Sequence, residues 1–177
     1  VHPLGASFAE AFLAELATLV NPEEPLKVVV GHVNPNRVAV LRLLASRWPA
    51  LMLVASNAGA RLLGDLWDQR SPTASEGAVE PGPPLPPIDV VKHEVSRELA
   101  GDHKLTLIPA PTPRWPGALV AFEDRTGLLM SGKFFSAHLC IETFAEAHRG
   151  SSEEDRRYFY DCLMAPMARQ VEVVLDR

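Results

Sequence analysis

Residues 26–37 read LKVVVGHVNPNR, an apolar run that passes into a polar loop. In the stretch that follows, apolar residues recur every three or four positions, at Val38, Leu41, Leu44, Ala45 and Trp48. This spacing predicts a helix with one buried face, which ends before Pro49 because proline disfavours helical backbone in the preceding residue. Strand, polar loop and helix in this order are typical of α/β proteins, whose ligands bind at the carboxyl ends of strands. We therefore expect the chemistry of the chain in the loop at residues 31–37.

The composition is that of one globular domain. The chain has 177 residues, of which 47% are hydrophobic and 22% charged, and this is enough for a single core. A net charge of −5 without a run of lysine and arginine argues against a nucleic-acid surface. No apolar stretch approaches the length of a membrane span, and no signal pattern precedes the first predicted helix. The chain is expected to be soluble, and its start at Val1 leaves open that it is a trimmed fragment.

The first half of the chain predicts a βαβ unit. A helical stripe over residues 4–20 precedes the strand at 26–30, and a second short apolar strand occupies 51–55. Ser56 is a good N-cap for a further helix with apolar residues at 62, 63, 66 and 67. A right-handed crossover would place the two strands parallel and adjacent.

Residues 70–87 are rich in proline, glycine and serine, and they predict an exposed insertion because proline neither pairs within a sheet nor continues a helix. A proline-rich ligand for a partner module is the alternative, since such segments are already extended. A short strand at 88–92 would resume the fold.

The second half predicts another sheet. Residues 104–109 alternate as a strand does, and 118–122 and 128–131 flank a short loop with a glycine, which indicates a hairpin. Residues 153–177 are helical in pattern, and Pro166 is expected to kink or split that helix. The two cysteines, Cys140 and Cys162, are too few for a disulfide framework or a zinc site, and both are predicted to be core thiols.

The loop after the first strand resembles the metal-binding loop of flavodiiron proteins. In that family a metallo-β-lactamase-like domain carries His-x-Glu-x-Asp-His at the end of such a strand, whereas this chain has His32, Asn34, Asn36 and Arg37 at these places. One ligand of four remains. Two amides and a guanidinium replace the others, and a guanidinium offers only hydrogen-bond donors and a fixed positive charge. The resemblance therefore implies that the loop holds no metal.

Two further loops carry the same resemblance. The family has Pro-x-x-His-Trp-Pro-Asp before a hairpin, where this chain reads PTPRWPG, with Arg114 in place of the ligand histidine. After the hairpin the family has Ser-Asn-Asp-Ala-Phe-Gly-x-His, where this chain reads SGKFFSAH, with Lys133 in place of the bridging aspartate. Trp115 and His138 correspond to residues that lie around the metals without binding them. The ligands are thus replaced at three separate loops.

The resemblance implies a partial metallo-β-lactamase-like fold, an αββα sandwich without its opening strands, with residues 1–177 as a single domain. The family's remaining ligand histidine and its FMN-binding domain would follow residue 177. No cofactor is therefore expected in this domain, and FMN only if a flavin domain follows. Family members form head-to-tail dimers, so the implied partner is a homologous chain, in a homodimer or a heterodimer. The branch with exchanged iron ligands occurs in oxygenic phototrophs, which implies a chloroplast or the cyanobacterial cytoplasm.

By this resemblance, the side-chain cations of Arg37, Arg114 and Lys133 surround His32 where the family holds two iron ions. Unit charges about 5 Å apart repel by roughly 3 kcal/mol per pair at an effective dielectric constant of 20, so such a cluster needs acidic neighbours or a bound anion. One hypothesis is a site for chloride, phosphate or a carboxylate. The alternative is that the three side chains point into water or pair with surface acids.

Two classes of function follow from the resemblance. In the first, the chain is a metal-free part of a flavodiiron-type oxidoreductase that passes electrons to oxygen together with a homologous partner or a downstream flavin domain. In the second, it is a catalytically silent structural or assembly subunit whose basic pocket binds a small anion. Hydrolase chemistry is a third and weaker reading, because a hydrolase of this fold needs a metal to activate water at neutral pH.

Overall fold

A computed structural model of the chain describes residues 6–68, 82–99, 101–136 and 153–176. Helices and parallel strands alternate in the first half, antiparallel strands follow, and two helices end the described part. The helices are α1 (Ala9–Leu19), α2 (Pro35–Arg47), α3 (Asn57–Trp67), α4 (Glu153–Leu163) and α5 (Ala168–Leu175), with short 3-10 turns at Ala6–Phe8 and Ala165–Met167. The strands are β1 (Leu26–Val29), β2 (Leu51–Ser56), β3 (Ile88–Val91), β4 (Val95–Glu98), β5 (Lys104–Pro109), β6 (Leu119–Glu123) and β7 (Leu128–Met130).

The first sheet is parallel and has the order β1-β2-β3, with Leu26 opposite Leu51 and Leu53 opposite Ile88. The predicted βαβ unit is therefore confirmed. The central strand β2 is buried on both faces, as the unbroken apolar run of its sequence indicates. Alternate side chains point to opposite faces of a strand, so Leu53 packs against helices while Val54 packs against the other sheet.

The second sheet is antiparallel and has the order β4-β5-β6-β7. Strands β6 and β7 form the predicted hairpin, and Gly127 takes a φ of +68° in its turn, a backbone conformation that glycine adopts without a steric penalty. The sequence reading missed β4. Val95 is half-buried and the other three residues of the strand are exposed, so the strand has no apolar alternation that could reveal it.

A buried carboxylate, Glu123, closes the β6–β7 turn. One of its oxygens accepts hydrogen bonds from the backbone N–H and hydroxyl of Thr126, and the other accepts from the backbone N–H of Arg125 and contacts Nδ1 of His103 at 2.9 Å. The Thr126 hydroxyl contributes most to lowering the pKa of Glu123 to about 2, because these hydrogen bonds favour the ionised carboxylate.

Three apolar clusters stack the layers in the order helix, sheet, sheet, helix. In the first cluster, α1, α2 and α3 pack on the parallel sheet around Trp48, Leu53 and Leu63. In the second, Val54 and Val91 of the parallel sheet meet Leu107, Leu119 and Ala121 of the antiparallel sheet. In the third, the outer face of the antiparallel sheet packs against α4 and α5, through Val120, Phe159 and Val171 among others. The predicted αββα sandwich is confirmed.

The end of the predicted insertion differs from a free surface loop. Residues 82–87 run in extended form along the core, where Pro86 is buried and Leu85 packs on the first cluster. The indole N–H of Trp67 donates to the carbonyl of Pro83 at 2.9 Å, and the backbone N–H of Leu53 donates to the carbonyl of Pro87. Proline keeps its carbonyl acceptor, so this segment is held through its carbonyl groups. Residues 70–81 lie outside the described part of the chain.

The remaining helix predictions have mixed outcomes. Pro166 splits the C-terminal helix as expected, since it lies in the 3-10 turn between α4 and α5. The described part of the first predicted helix consists of the 3-10 turn Ala6–Phe8 and helix α1, which ends at Leu19, one residue before the predicted end. Cys162 is exposed, so its prediction as a core thiol was wrong; the helical spacing placed it next to the buried Phe159 stripe without showing which way it points. Cys140 lies outside the described residues. Every helix in the described part of the chain is too short or too polar to cross a bilayer.

Candidate functional site

Three loops meet at one end of the sandwich. The first loop follows β1, the second precedes β6 and the third follows β7. The backbone N–H of Leu119 donates to the carbonyl of Gly31 at 2.9 Å, and this hydrogen bond connects the first two loops. The cavity between the loops and helix α4 has a volume of about 490 Å³. Its described lining comprises His32, Val33, Asn34, Arg37, Arg114, Trp115, Lys133, Phe159 and Leu163. The carboxyl end of β1 is thus a candidate site, as the α/β pattern predicts.

Asn34 shapes the first loop by capping helix α2. Its backbone is extended, and its side-chain oxygen accepts a hydrogen bond from the backbone N–H of Arg37 at 2.9 Å. Pro35 occupies the first helical position, where its missing N–H costs nothing and its fixed φ suits the helix. The cap turns the chain so that Asn34 and Arg37 both face the cavity.

His32 is the residue of this loop that still matches a metal ligand in the resemblance, and it is in direct contact with an arginine. The guanidinium Nη1 of Arg37 lies 2.7 Å from Nδ1 of the His32 ring. His32 is buried, with 5% of its surface exposed. Because a guanidinium can only donate, Nδ1 must accept, and the proton of a neutral ring then lies on Nε2. Partial burial lowers the pKa of Arg37 from its ordinary value, although an arginine stays charged at neutral pH. The imidazole lone pair is therefore committed to Arg37.

The second loop is fastened at both ends. Thr112 is buried, its hydroxyl accepts from the backbone N–H of Trp115, and the two residues also exchange backbone hydrogen bonds. At the other end, the hydroxyl of Ser56 donates to the carbonyl of Gly117 at 3.0 Å and accepts from the N–H of Gly59. Ser56 thus caps α3, as predicted, and also anchors the loop. This anchoring holds Arg114 and Trp115 at the cavity.

The cavity lining carries positive charge. Arg114 lies over the ring of Trp115, with its Cζ 5.6 Å from the ring centroid, within range of a cation–π attraction. Lys133, from the third loop, is half-buried. Among the described residues, neither Arg114 nor Lys133 forms an ion pair, and no aspartate or glutamate lines the cavity.

The structure brings together most of the residues that the sequence singles out. His32, Asn34, Arg37, Arg114 and Lys133 line one cavity, and Trp115 lines it directly instead of standing behind other residues. Asn36 does not: it is exposed on the first turn of α2 and is absent from the described lining, because a helix turns about 100° per residue and directs this position away from Arg37. His138 lies outside the described residues.

Three lining residues were not expected. Val33 separates two of the aligned positions, and Phe159 and Leu163 come from helix α4. Their spacing of four residues identifies one face of a helix, but nothing in the sequence indicates that this face ends at the loop after β1. No pattern in the sequence therefore indicates that these residues line the cavity.

The donor atoms that the described residues offer to the cavity do not fit a pair of iron ions. Such ions need carboxylate or imidazole ligands with free lone pairs, and the described lining offers one imidazole, committed to Arg37, and one amide oxygen, committed to the helix cap. Within the described residues, no group of three histidine, cysteine, aspartate or glutamate side chains could hold a metal ion. Three cationic side chains would also repel a metal ion at this place.

Comparison with known proteins assigns the chain to a family. No family model matches the sequence. Diflavin flavoprotein A 6 from Nostoc sp. (strain PCC 7120) is 36% identical over 177 residues, which is 100% of this chain and 29% of that protein. Diflavin flavoprotein A 3 from Synechocystis sp. (strain PCC 6803) is 35% identical over 99% of this chain and 27% of its own length. The chain thus spans less than a third of these curated relatives.

Solved structures agree with the sequence matches. The metal-soaked Flv1 flavodiiron core from Synechocystis sp. PCC6803 superposes with a TM-score of 0.84 at 35% identity, over 99% of this chain and 40% of that one. Fragment 1–254 of diflavin flavoprotein A 5 from Nostoc sp. PCC 7120 superposes with a TM-score of 0.79 at 30% identity, over 98% and 63% of the two chains. Sequence and fold match together over nearly the whole chain, which therefore belongs to the flavodiiron protein family and forms part of its metallo-β-lactamase-like core.

Proposed function

We propose that this chain is a metal-free metallo-β-lactamase-like domain of a flavodiiron-type oxidoreductase. In this role it takes part in electron transfer to oxygen together with a homologous partner chain or a downstream flavin domain. The contact between Arg37 and His32 carries the proposal, because it places a fixed cation against the one family-type ligand of the loop. The domain then supports the reaction by holding neighbouring domains or chains in position through its surfaces, without a metal centre of its own.

The charges around the cavity support the absence of iron. An amide at Asn34, a guanidinium at Arg114 and an ammonium at Lys133 stand where the resemblance places metal ligands, and no carboxylate is found in the described lining. Binding two multivalent cations would require these positive groups to move away and His32 to exchange its hydrogen bond for a metal bond. Both steps oppose binding.

Elemental analysis tests this part of the proposal. The chain is purified after expression with added iron or zinc, and the metal content per chain is measured by inductively coupled plasma mass spectrometry. The expected result is well below one metal ion per chain. One or two ordered ions bound next to His32 would overturn the proposal. Exposed His93, outside the described lining of the cavity, provides a control, because His93→Ala should leave any residual metal content unchanged.

The electron-transfer role needs the longer protein. The curated relatives are called diflavin flavoproteins, and we propose that flavin, FMN included, is supplied by other parts of such a chain or by a partner in a head-to-tail dimer. The parent chain alone is expected to reduce oxygen slowly, and addition of a homologue that keeps the iron ligands should raise the rate above the sum of the two. A purely additive rate would contradict the cooperative role. A cyanobacterial or chloroplast location is part of this proposal.

A second candidate function is supported by the same cavity. Arg114 and Lys133 form no ion pair among the described residues, and together with Arg37 they make the cavity positive. This charge favours a bound anion, and we propose chloride, phosphate or a carboxylate as its chemical class. In this case the chain serves as a structural or assembly subunit, with the anion in place of the metal ions. Titration with phosphate at constant ionic strength is expected to stabilise the chain against heat. Equal stabilisation by phosphate in the Lys133→Gln variant would argue against the site.

A further inference from the structure

The cavity lining also contains three apolar side chains, which we call the apolar wall. They are Trp115, Phe159 and Leu163. Phe159 is 5% exposed and belongs to the cluster between the antiparallel sheet and the last helices, and Trp115 and Leu163 pack against that cluster. The core therefore supports the apolar wall, through the buried Phe159 and through the contacts of the half-buried Trp115 and Leu163.

The volume of the cavity exceeds the needs of an inorganic ion. A water-sized group occupies about 30 Å³, whereas the cavity measures about 490 Å³. Pockets for small organic molecules usually have about 300–1,000 Å³ and hold a few fixed polar groups. The polar part of the lining is the larger one in this cavity, so a ligand needs a charged group as well as an apolar one. A chloride or phosphate ion would leave the apolar wall in contact with water.

The charged groups suit an oxyanion held by side chains. The N-terminal end of helix α2 has few free backbone N–H groups for a ligand. Pro35 has no N–H, and the N–H groups of residues 37 and 38 donate to the capping residue Asn34. The positive charge facing the cavity therefore comes from Arg37, Arg114 and Lys133. Arginine presents a planar set of donors that matches the oxygens of a carboxylate or a phosphate.

We propose that this cavity binds an amphipathic organic anion, namely a carboxylate or phosphate monoester joined to a flat apolar group. The acid group lies among Arg37, Arg114 and Lys133. The apolar group lies against Leu163 and the part of Trp115 that Arg114 leaves uncovered. This inference rests on the proposal that the cavity holds an anion, and it specifies the class of that anion. Neither wall alone accounts for the lining, whereas a ligand with two unlike ends matches both.

A ligand series tests the inference with the unmodified 177-residue chain. Inorganic phosphate, methyl phosphate, phenyl phosphate and phenol are titrated by calorimetry at constant ionic strength. Phenyl phosphate is expected to bind about tenfold more tightly than inorganic phosphate, since a half-buried phenyl ring gains contact with the apolar wall. Phenol is expected to bind weakly, because it lacks the charge that the cations attract.

The outcomes separate the two proposals. Equal affinities for inorganic and phenyl phosphate would overturn this inference and leave the anion site intact. Absence of binding by every phosphate would overturn both. Phenol binding as tightly as phenyl phosphate would also overturn the inference, since the cations would then play no part.

Variants assign the two ends of the ligand to the two walls. Lys133→Gln should weaken phosphate and phenyl phosphate alike by several-fold, whereas Lys92→Gln, an exposed lysine outside the cavity, should change neither. Leu163→Ala should reduce the advantage of phenyl phosphate without altering the affinity for phosphate. An unchanged advantage in folded Leu163→Ala would contradict the apolar subsite. The ligand series needs no variant, so the inference stays testable even if Leu163→Ala fails to fold.

Discussion

Replacing Gly117 by alanine tests how the loop that carries Arg114 is held. An added Cβ would lie 2.8 Å from Cα of Gly59 and 3.1 Å from its backbone nitrogen. These are backbone atoms at the start of α3, which cannot rotate away as a side chain can. Either the loop or the helix must shift, and a shift would lengthen the hydrogen bond from Ser56 to the carbonyl of Gly117, now 3.0 Å.

The expected loss of stability follows from these contacts. Overpacking a close contact costs about 1–3 kcal/mol, and weakening one buried hydrogen bond adds about 1 kcal/mol. Gly117→Ala is therefore expected to lower the free energy of unfolding by about 2–4 kcal/mol. Each kcal/mol corresponds to about 2–4 °C of melting temperature in a chain of this size. Urea unfolding and thermal melting followed by circular dichroism measure both quantities.

Gly64 provides the matched control. It lies on an exposed turn of α3, and an added Cβ would meet no atom within 4 Å. Gly64→Ala should stabilise the chain by about 0.5–1 kcal/mol, because alanine loses less backbone entropy in a helix. The reasoning is refuted if Gly117→Ala is as stable as the unmodified chain. It is equally refuted if both alanine variants shift stability by the same amount and sign.

Three further predictions concern other parts of the molecule. The folded-state pKa of Glu123 is lowered to about 2, so its carboxylate stabilises the fold at neutral pH, and this contribution is lost as the pH falls from about 4.5 towards 2. The difference in unfolding free energy between the unmodified chain and Glu123→Gln, measured in urea titrations, should therefore shrink over that range. Asn34→Ala removes the cap of α2 and should cost about 1 kcal/mol, whereas the exposed Asn36→Ala should stay within about 0.5 kcal/mol, as measured by urea unfolding. Cys162 is exposed and should react with Ellman's reagent in the folded chain, so Cys162→Ser should lower the number of reactive thiols by one per chain.

Local patterns in the sequence predicted much of the fold. The apolar run of β2, the N-cap at Ser56, the glycine of the β6–β7 turn and the split at Pro166 are confirmed. Each of these features depends on neighbours within a few residues, through burial, capping, φ or a missing N–H. Strand β4 shows the limit, because its side chains face mostly water and its position is set by pairing with β5.

The identities of the site residues could be listed from the sequence by resemblance, since Arg37, Arg114 and Lys133 stand in recognisable segments. Their meeting in one cavity depends on contacts across long stretches of chain, such as the hydrogen bonds from Leu119 to Gly31 and from Ser56 to Gly117. The contact between Arg37 and His32 is also a matter of side-chain geometry.

The amino-acid sequence alone therefore determined most of the elements and their order, with the exception of β4. The resemblance to the family added the expectation that positive and amide side chains stand in place of metal ligands. Folding in three dimensions determined that Asn36 points away, that Phe159 and Leu163 complete the cavity, and that Cys162 faces solvent. The physical reason is range: capping and periodicity act between residues near in sequence, whereas a cavity is formed by packing between elements that the sequence separates by more than a hundred residues.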